Sequence, residues 1–189
     1  MYARRIGDRE LTFDFADGLI KDNLLIVDRE TNSVWSQLHG SAVIGPMRGT
    51  PLQMIPTLQA TWGFWRARHP DTRVAVLPGD GRRYHYRNRT PGQTSPRRRP
   101  AGHDTSKVGL ALAVGGDAVF FPFRELQKTT TPFAMQVGGE RVRIHYSADG
   151  LTAWAEDERG TLLPGVIAYQ DGWLEFVPRS RIYKARRQR

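Results

Sequence analysis

His69 is the residue of this chain that best suits acid–base chemistry. It follows TWGFWRAR at positions 61–68, which predicts a short helix whose dipole favours the charged form of an imidazole at its end. Asp28, in the stretch IVDRETNS, supplies a carboxylate that could work with this imidazole in a hydrolase. The pattern Asp-Arg-x-Thr-Asn is also typical of a hairpin turn that binds its own backbone. Both residues are therefore catalytic candidates, with a structural alternative for Asp28.

A second group of residues predicts a ligand cleft. Trp35 and Gln37 alternate in phase on VWSQL, so they are expected on one face of a strand. A tryptophan beside an amide can shape the wall of a small-molecule site. A core tryptophan beside a hydrogen-bonded glutamine is the alternative. The candidate cleft residues are Asp28, Arg29, Trp35, Gln37 and His69.

The net charge of +9 is concentrated in two short stretches. Residues 82–107 contain seven arginines and one lysine against a single aspartate, and residues 184–189 contain three arginines and one lysine. Arginines interleaved with tyrosines can bind phosphates and stack on bases, which makes a nucleic acid the alternative partner. An arginine-biased genome explains the same composition without any ligand. The candidate polyanion-binding residues are Arg82, Arg83, Tyr84, Tyr86, Arg87 and Arg89.

Several classes of site are missing from the sequence. There is no cysteine, the five histidines stand singly, and neither a phosphate-binding glycine loop nor a serine-nucleophile motif occurs. We therefore predict no metal site and no cofactor. The longest apolar run, VGLALAVGG, is too short to cross a membrane, and the first residues do not form a signal peptide. As written, the chain is expected in the cytoplasm, or in the periplasm or outside the cell if its true N-terminus carries a signal.

The elements that must position these residues are mostly strands. Period-2 alternation and turn residues predict a mainly β, β-rich α+β fold with short helices. In VRIHY, for example, Val142, Ile144 and Tyr146 share one face while Arg143 and His145 share the other. Thr61 is the expected N-cap of the helix at 61–68, and a second short helix is expected near 123–127. The predicted strands are 11–15, 24–27, 34–38, 52–55, 74–77, 108–114, 118–121 and 142–146.

Two segments of the chain are similar to each other without a gap. MIPTLQATWGFWRARHPDTRV at 54–74 aligns with LLPGVIAYQDGWLEFVPRSRI at 162–182, and the two share prolines, an alanine, a tryptophan and an arginine. This similarity predicts two related halves, 1–79 and 107–189, joined by a basic loop at 80–106. The residue that aligns with His69 is Val177, so the shared fold does not require a histidine there. The functional surface is expected at the interface of the halves.

The first half contains several distinctive motifs in KDNLLIVDRETNSVWSQLHGSAVIGPMRGT, at 21–50, and in TWGFWRARHPDTRV, at 61–74. These are a Val-Asp-Arg-x-Thr segment, Ser-x-Trp-x-Gln, a Gly-Pro-x-x-Gly-Thr turn, and a tryptophan followed by His-Pro-Asp-Thr. In this combination they resemble an uncharacterised bacterial family, domain of unknown function 3179. The resemblance covers most of the chain and is weakest in the loop at 79–107.

The resemblance implies a redox relation. Fuller family members carry an upstream Tyr-Cys-Pro-x-Cys segment, in some cases with selenocysteine, and such a pair suits thiol–disulfide chemistry. This chain lacks the segment, so it is expected to be a truncated or chalcogen-lacking relative of a thiol or selenol redox family with unknown substrate. Met1 is then expected to lie inside a longer protein, with a genuine short paralogue as the alternative. The competing hypothesis is a binding module for a polyanion or for a small ligand in a cleft between the halves.

Overall fold

A computed structural model describes residues 1–20, 23–74 and 107–185. These residues form short strands and three short helices, as the alternating sequence pattern predicts. No helix among them is long and apolar enough to cross a membrane. The strands are β1 (Arg5–Ile6), β2 (Arg9–Glu10), β3 (Phe13–Ile20), β4 (Asn23–Asp28), β5 (Val34–Ser36), β6 (Ser41–Ile44), β7 (Val108–Val114), β8 (Asp117–Pro122), β9 (Phe133–Val137), β10 (Glu140–Ser147), β11 (Thr152–Glu156), β12 (Gly165–Tyr169) and β13 (Arg181–Ile182); the helices are α1 (Trp62–Arg68), α2 (Phe123–Leu126) and α3 (Gln170–Phe176).

The first half is built on an antiparallel sheet in the order β3-β4-β5-β6. Its buried cluster consists of Leu11, Trp35, Ala42 and Leu52, and the ring of Phe13 meets Trp35 edge-on at 5.7 Å between centroids. An edge-to-face contact of two aromatic rings is favourable beyond the area that it buries. Trp35 is therefore the centre of this half's core.

The second half contains two sheets, in the orders β12-β7-β8-β13 and β11-β10-β9. The inward residues of both sheets form the largest hydrophobic cluster, which includes Leu112, Phe121, Val137 and Ile144. On β10, alternate residues point inward, while Arg143 and His145 lie on the outer face and contact the carboxylate of Glu156. The two faces predicted for VRIHY are confirmed.

The β-rich fold class is confirmed, and so are both predicted helices. The side chain of Thr61 accepts a hydrogen bond from the backbone N–H of Phe64 at 3.3 Å, as expected for an N-cap. Of the strand predicted at 52–55, only Met54 forms a bridge, an isolated one with Tyr2. The strand predicted at 74–77 lies outside the described residues beyond position 74. None of the predicted strands corresponds to β1, β2, β6, β9, β11, β12 or β13.

α1 and α3, which lie in the two segments that align in sequence, have the same length, similar C-terminal backbone angles and the same type of tryptophan hydrogen bond. Each helix has seven residues and ends with similar backbone angles, φ −132° and ψ 69° at His69 and φ −127° and ψ 68° at Val177. The indole N–H of Trp65 donates to Thr72 Oγ1 at 2.8 Å, and that of Trp173 donates to Ser180 Oγ at 2.9 Å. This match concerns the helical segments; the relation between the complete halves stays a prediction.

Each of these helices packs against the other half of the chain. At the start of α1, the backbone N–H of Thr61 donates to the carbonyl of Gly150 at 3.0 Å, and Phe64 contacts Trp154 with ring centroids 6.2 Å apart. On α3, Trp173 belongs to a cluster that includes Leu38 of the first half. Hydrogen bonds and apolar contacts thus join the two halves in both directions.

We expect the two indole bonds to differ in their contribution to stability. Ser180→Ala leaves the indole N–H of Trp173, which is only 5% exposed, without its acceptor, and should lower the free energy of unfolding by about 1–3 kcal/mol. Thr72→Val should cost less, because Trp65 is only half-buried and water can replace the hydroxyl. Urea denaturation of both variants measures the difference, and equal losses would contradict it.

Candidate functional site

A candidate site is a cavity of about 800 Å³ between the two halves, which we call the inter-half cavity. One wall comes from the N-terminus, β4 and the turn after β5, and the other from β12 and α3. The lining residues are Met1, Tyr2, Asn23, Gln37, Leu38, Lys107, Val166, Ile167, Ala168, Tyr169, Asp171, Gly172 and Glu175. Its volume lies within the range of typical small-molecule sites.

The first-half wall presents neutral amides. The side-chain oxygen of Asn23 accepts hydrogen bonds from Ser36 Oγ at 3.2 Å and from the backbone N–H of Leu38 at 3.3 Å. Those bonds orient the amide, and within the described residues its NH₂ group has no hydrogen-bond partner. The Gln37 side chain likewise makes no hydrogen bond within the described part of the chain, and it is exposed. This wall can therefore both donate to and accept from a ligand.

A half-buried phenol, that of Tyr2, supports the turn that carries Gln37. The hydroxyl of Tyr2 donates to the backbone carbonyl of Gln37 at 2.5 Å. Burial raises the pKa of the Tyr2 hydroxyl, a group that is neutral at physiological pH in any case and can donate its proton in this bond. The hydrogen bond therefore ties the N-terminus to the turn beside the cavity.

The second-half wall has an apolar strip and a charged rim. The strip is part of β12, where Val166, Ile167 and Ala168 line the cavity. At the rim, the ammonium of Lys107 lies 2.6 Å from a carboxylate oxygen of Asp171. A cavity with an apolar strip, two amides and a rim of both charges suits a small organic molecule with a polar end.

Asp28 lies in the core rather than in the cavity. It is fully buried, and its carboxylate accepts hydrogen bonds from Thr31, from the backbone of Ser33 and from the indole N–H of Trp35 at 2.8 Å. Burial alone would raise the pKa of this carboxyl, but the hydrogen bonds outweigh it and hold the pKa below its ordinary value. This geometry agrees with the structural alternative for Asp28, a turn in which the aspartate side chain accepts hydrogen bonds from residues of the same turn.

The structure does not bring the five predicted cleft residues together. Arg29 pairs with Asp14 on the surface, its Nε 2.5 Å from the carboxylate, and Trp35 lies in the core. β5 ends at Ser36, so Gln37 falls in the following turn, where it lines the cavity and does not share a strand face with Trp35.

His69 also lies apart from Asp28 and from the inter-half cavity. It follows α1 and its imidazole contacts the indole of Trp65, with ring centroids 4.1 Å apart and ring planes tilted by 32°. None of its hydrogen bonds or ring contacts among the described residues involves Asp28. The structure thus gives the imidazole an aromatic neighbour and no carboxylate partner within these residues.

The predicted polyanion-binding residues cannot be compared with the structure. Arg82, Arg83, Tyr84, Tyr86, Arg87 and Arg89 all lie outside the described residues. Sequence reasoning missed the other cavity residues, including Asn23, Lys107, Asp171 and Glu175. The similarity of 162–182 to 54–74 was the one available signal, because it predicted a helix near Trp173. It did not predict that the start of this helix would line the same cavity as Gln37.

Comparison with known proteins identifies the family. A family described as proteins of unknown function, DUF3179, matches residues 1–164. The chain belongs to this family. The match includes the whole first-half wall of the cavity and ends one residue before β12. No curated protein and no solved structure matches the chain. For a member of the DUF3179 family, function must therefore be argued from the site itself.

The Asp28 turn can be tested by its acid sensitivity. Asp28→Asn should lower the free energy of unfolding by about 2–4 kcal/mol at neutral pH, because the amide presents N–H groups to buried donors. Because the folded-state pKa lies below the unfolded value of about 3.8, the carboxylate's contribution is complete above that pH and is lost as the pH falls further. The difference between wild type and variant should therefore narrow below about pH 4.

Urea titrations from pH 7 to pH 3 measure this dependence. Asp14→Asn is the matched control, because Asp14 is an exposed carboxylate that pairs with Arg29, and its loss should be much smaller. A similar loss in both variants would contradict the role of Asp28.

Proposed function

We propose that this domain binds a small organic molecule in the inter-half cavity. The observation that carries the proposal is the composition of the two walls, with oriented amides on one side and an apolar strip on the other. The described lining residues include neither a histidine nor a serine, and their charged side chains are Lys107, Asp171 and Glu175. The proposal is consistent with the expectation from the sequence that the functional surface lies at the interface of the halves.

The ligand should combine an apolar ring or chain with a neutral hydrogen-bonding group. A primary amide pairs well with the side chains of Asn23 and Gln37, because both groups donate and accept. The apolar part would lie along Val166 and Ile167 and remove their side chains from water. Benzamide and cyclohexanecarboxamide are therefore suitable probes.

Gly172 allows the cavity to be filled without loss of stability. Its backbone is helical, and a Cβ added there meets only Leu38 Cδ2, at 4.0 Å, which is an ordinary contact. Gly172→Leu should place its side chain in the cavity and also strengthen α3, since glycine is a poor helix former. We expect it to weaken probe binding by roughly tenfold in saturation-transfer NMR titrations.

Gly63→Leu is the matched control for this experiment. Gly63 lies in α1, which has the same length as α3, and a Cβ there meets nothing within 4 Å. It does not line the inter-half cavity. Unchanged probe binding in Gly63→Leu together with weaker binding in Gly172→Leu supports the proposal. Equal binding in both variants, or no saturation transfer to either probe, would refute it.

The redox relation remains a proposal that rests on the resemblance in sequence. The chain has no cysteine, so its 189 residues contain no thiol for disulfide exchange. A redox role for this domain would require a thiol or selenol from another polypeptide segment. Membership of the DUF3179 family is compatible with such a role, but the family description does not name a reaction.

Polyanion binding is the alternative proposal, and its support is the concentrated positive charge. Replacement of Arg82, Arg83, Arg87 and Arg89 by alanine should abolish any retardation of single-stranded DNA in a gel at low salt. The control replaces four exposed arginines elsewhere, Arg9, Arg48, Arg66 and Arg141, and so removes the same charge. No retardation of wild type, or an equal effect of both sets, would exclude specific binding by the loop.

A further inference from the structure

A second cavity, of about 610 Å³, lies between the ends of the two sheets of the second half. β7 begins there at Val108, opposite Tyr169 at the end of β12, and α2 begins there directly after β8. The other sheet contributes the end of β10 and the turn before β11. We call this space, which Arg124, Tyr146 and Leu151 line, the Arg124 cavity. Its volume is large enough for a small organic ligand.

The guanidinium of Arg124 is the one charged group among the described lining residues of this cavity. Arg124 is exposed, and within the described part of the chain its side chain forms neither a hydrogen bond nor an ion pair. The adjacent carboxylate of Glu125 instead accepts hydrogen bonds from Lys128 Nζ at 2.9 Å and from the backbone N–H of Ala185 at 3.2 Å. The bond from Lys128 is the main cause that lowers the Glu125 pKa, and the charge of Arg124 contributes less. The guanidinium can therefore bind an external anion.

A phenol hydroxyl also lines the Arg124 cavity. Tyr146 Oη accepts a hydrogen bond from Gln127 Nε2 at 3.0 Å, and the centroid of the Phe123 ring lies 5.3 Å from that of Tyr146. These contacts hold the phenol in place, and its own proton has no acceptor among the residues that the structure describes. A hydroxyl and a guanidinium that both offer N–H or O–H groups suit a ligand with a carboxylate.

Leu151 gives the cavity an exposed apolar wall. Its side chain is 65% exposed in the turn between β10 and β11, and its φ is 47°, an angle that a leucine rarely adopts. Glycine would adopt this angle without strain, so folding alone does not favour leucine here. Unfavourable backbone angles of this kind are concentrated at ligand sites. Both the exposure and the backbone angle of Leu151 thus point to an apolar group that binds against it.

We propose that the Arg124 cavity binds a small carboxylic acid with an apolar tail. The carboxylate pairs with the guanidinium of Arg124 and accepts the proton of the Tyr146 hydroxyl, while the tail packs on Phe123 and Leu151. Residues 167–169 of β12 line both this cavity and the inter-half cavity, but the two cavities differ in their polar groups. The inter-half cavity has amides and a rim of both charges, so the inference concerns a different ligand and goes beyond the proposed function.

Two probes that differ in charge test this assignment. 4-Phenylbutyrate has a phenyl group and a carboxylate, and 4-phenylbutyramide has nearly the same shape without the charge. Each probe is added to the full chain with ¹³C-labelled methyl groups. Val108 and Leu151 report on the Arg124 cavity, and Leu38 reports on the inter-half cavity. We expect the acid to shift the Val108 and Leu151 signals and to bind about tenfold more tightly than the amide.

A matched pair of arginine variants locates the charge that binds the acid. Arg124→Gln should weaken the binding of 4-phenylbutyrate by roughly tenfold. Arg141→Gln is the control, because Arg141 is also exposed, lies on β10 and does not line the cavity. Both variants lose one positive charge. Both substituted side chains are exposed, so both variants should fold.

Leu151→Gly separates a role in binding from a role in folding. Glycine readily adopts a φ of 47° and the leucine side chain is exposed, so the urea concentration at half-unfolding should not fall. Loss of the apolar wall should weaken the binding of 4-phenylbutyrate by about threefold, as measured at the Val108 methyl signals. A leucine with only a structural role would show the opposite pattern, with lower stability and unchanged binding.

Each outcome decides for or against the inference. Tighter binding of the acid than of the amide, together with a loss in Arg124→Gln and none in Arg141→Gln, would support it. Equal affinities of the two probes, equal effects of the two arginine variants, or no shift of Val108 and Leu151 at about 5 mM 4-phenylbutyrate would overturn it. A shift of Leu38 alone would overturn it as well, because the acid would then occupy the inter-half cavity.

Discussion

The contacts of the two helices with the opposite halves hold this structure together. α1 begins on the turn between β10 and β11, where Thr61 binds the backbone of Asp149 and Gly150, and α3 packs on Leu38 after β5. Neither helix is long enough to be stable alone, so both depend on this packing. The inter-half cavity lies beside these contacts, because Leu38 after β5 and Gly172 of α3 both line it.

The local similarity of the two helical segments makes their differences informative. Both place a tryptophan whose indole N–H is bound seven residues later by a hydroxyl. The ring of Trp173 belongs to a hydrophobic cluster, whereas the ring of Trp65 contacts the tilted imidazole of His69. Position 69 is therefore part of the environment of Trp65 in the same way that Val177 is part of the environment of Trp173. His69 thus has an aromatic contact in the structure, and its role as an acid–base residue stays a prediction.

Elements with a clear local sequence pattern could be predicted, whereas strands without a clear alternation of apolar and polar residues could not. Thr61 caps its helix and VRIHY alternates, so both could be read directly. β11, with the sequence TAWAE, and β12, with GVIAY, contain small residues and bury parts of both faces, so neither shows a clear period of two. The turn at Asp28 was readable from residue types, whereas its bond to the indole of Trp35 depends on the pairing of β4 with β5.

The candidate site was harder to predict than the fold. Gln37 was singled out for its position on a strand, yet it lines the cavity because the strand ends before it. The opposite wall is more than a hundred residues away in sequence, and a local sequence pattern cannot predict a contact over that separation. Charge counts gave no guidance either, since the cavity rim combines Lys107 with Asp171.

Because α1 and α3 each contact the opposite half, the association of the two halves does not depend on the peptide chain that connects them. All contacts described between the halves lie within residues 1–74 and 107–185, so a cut in the connection between them would break none of these contacts. The two fragments would remain associated through α1, α3 and the turns beneath them. Their separation would then depend on protein concentration, as in a heterodimer, and dilution would become a means of unfolding the nicked protein.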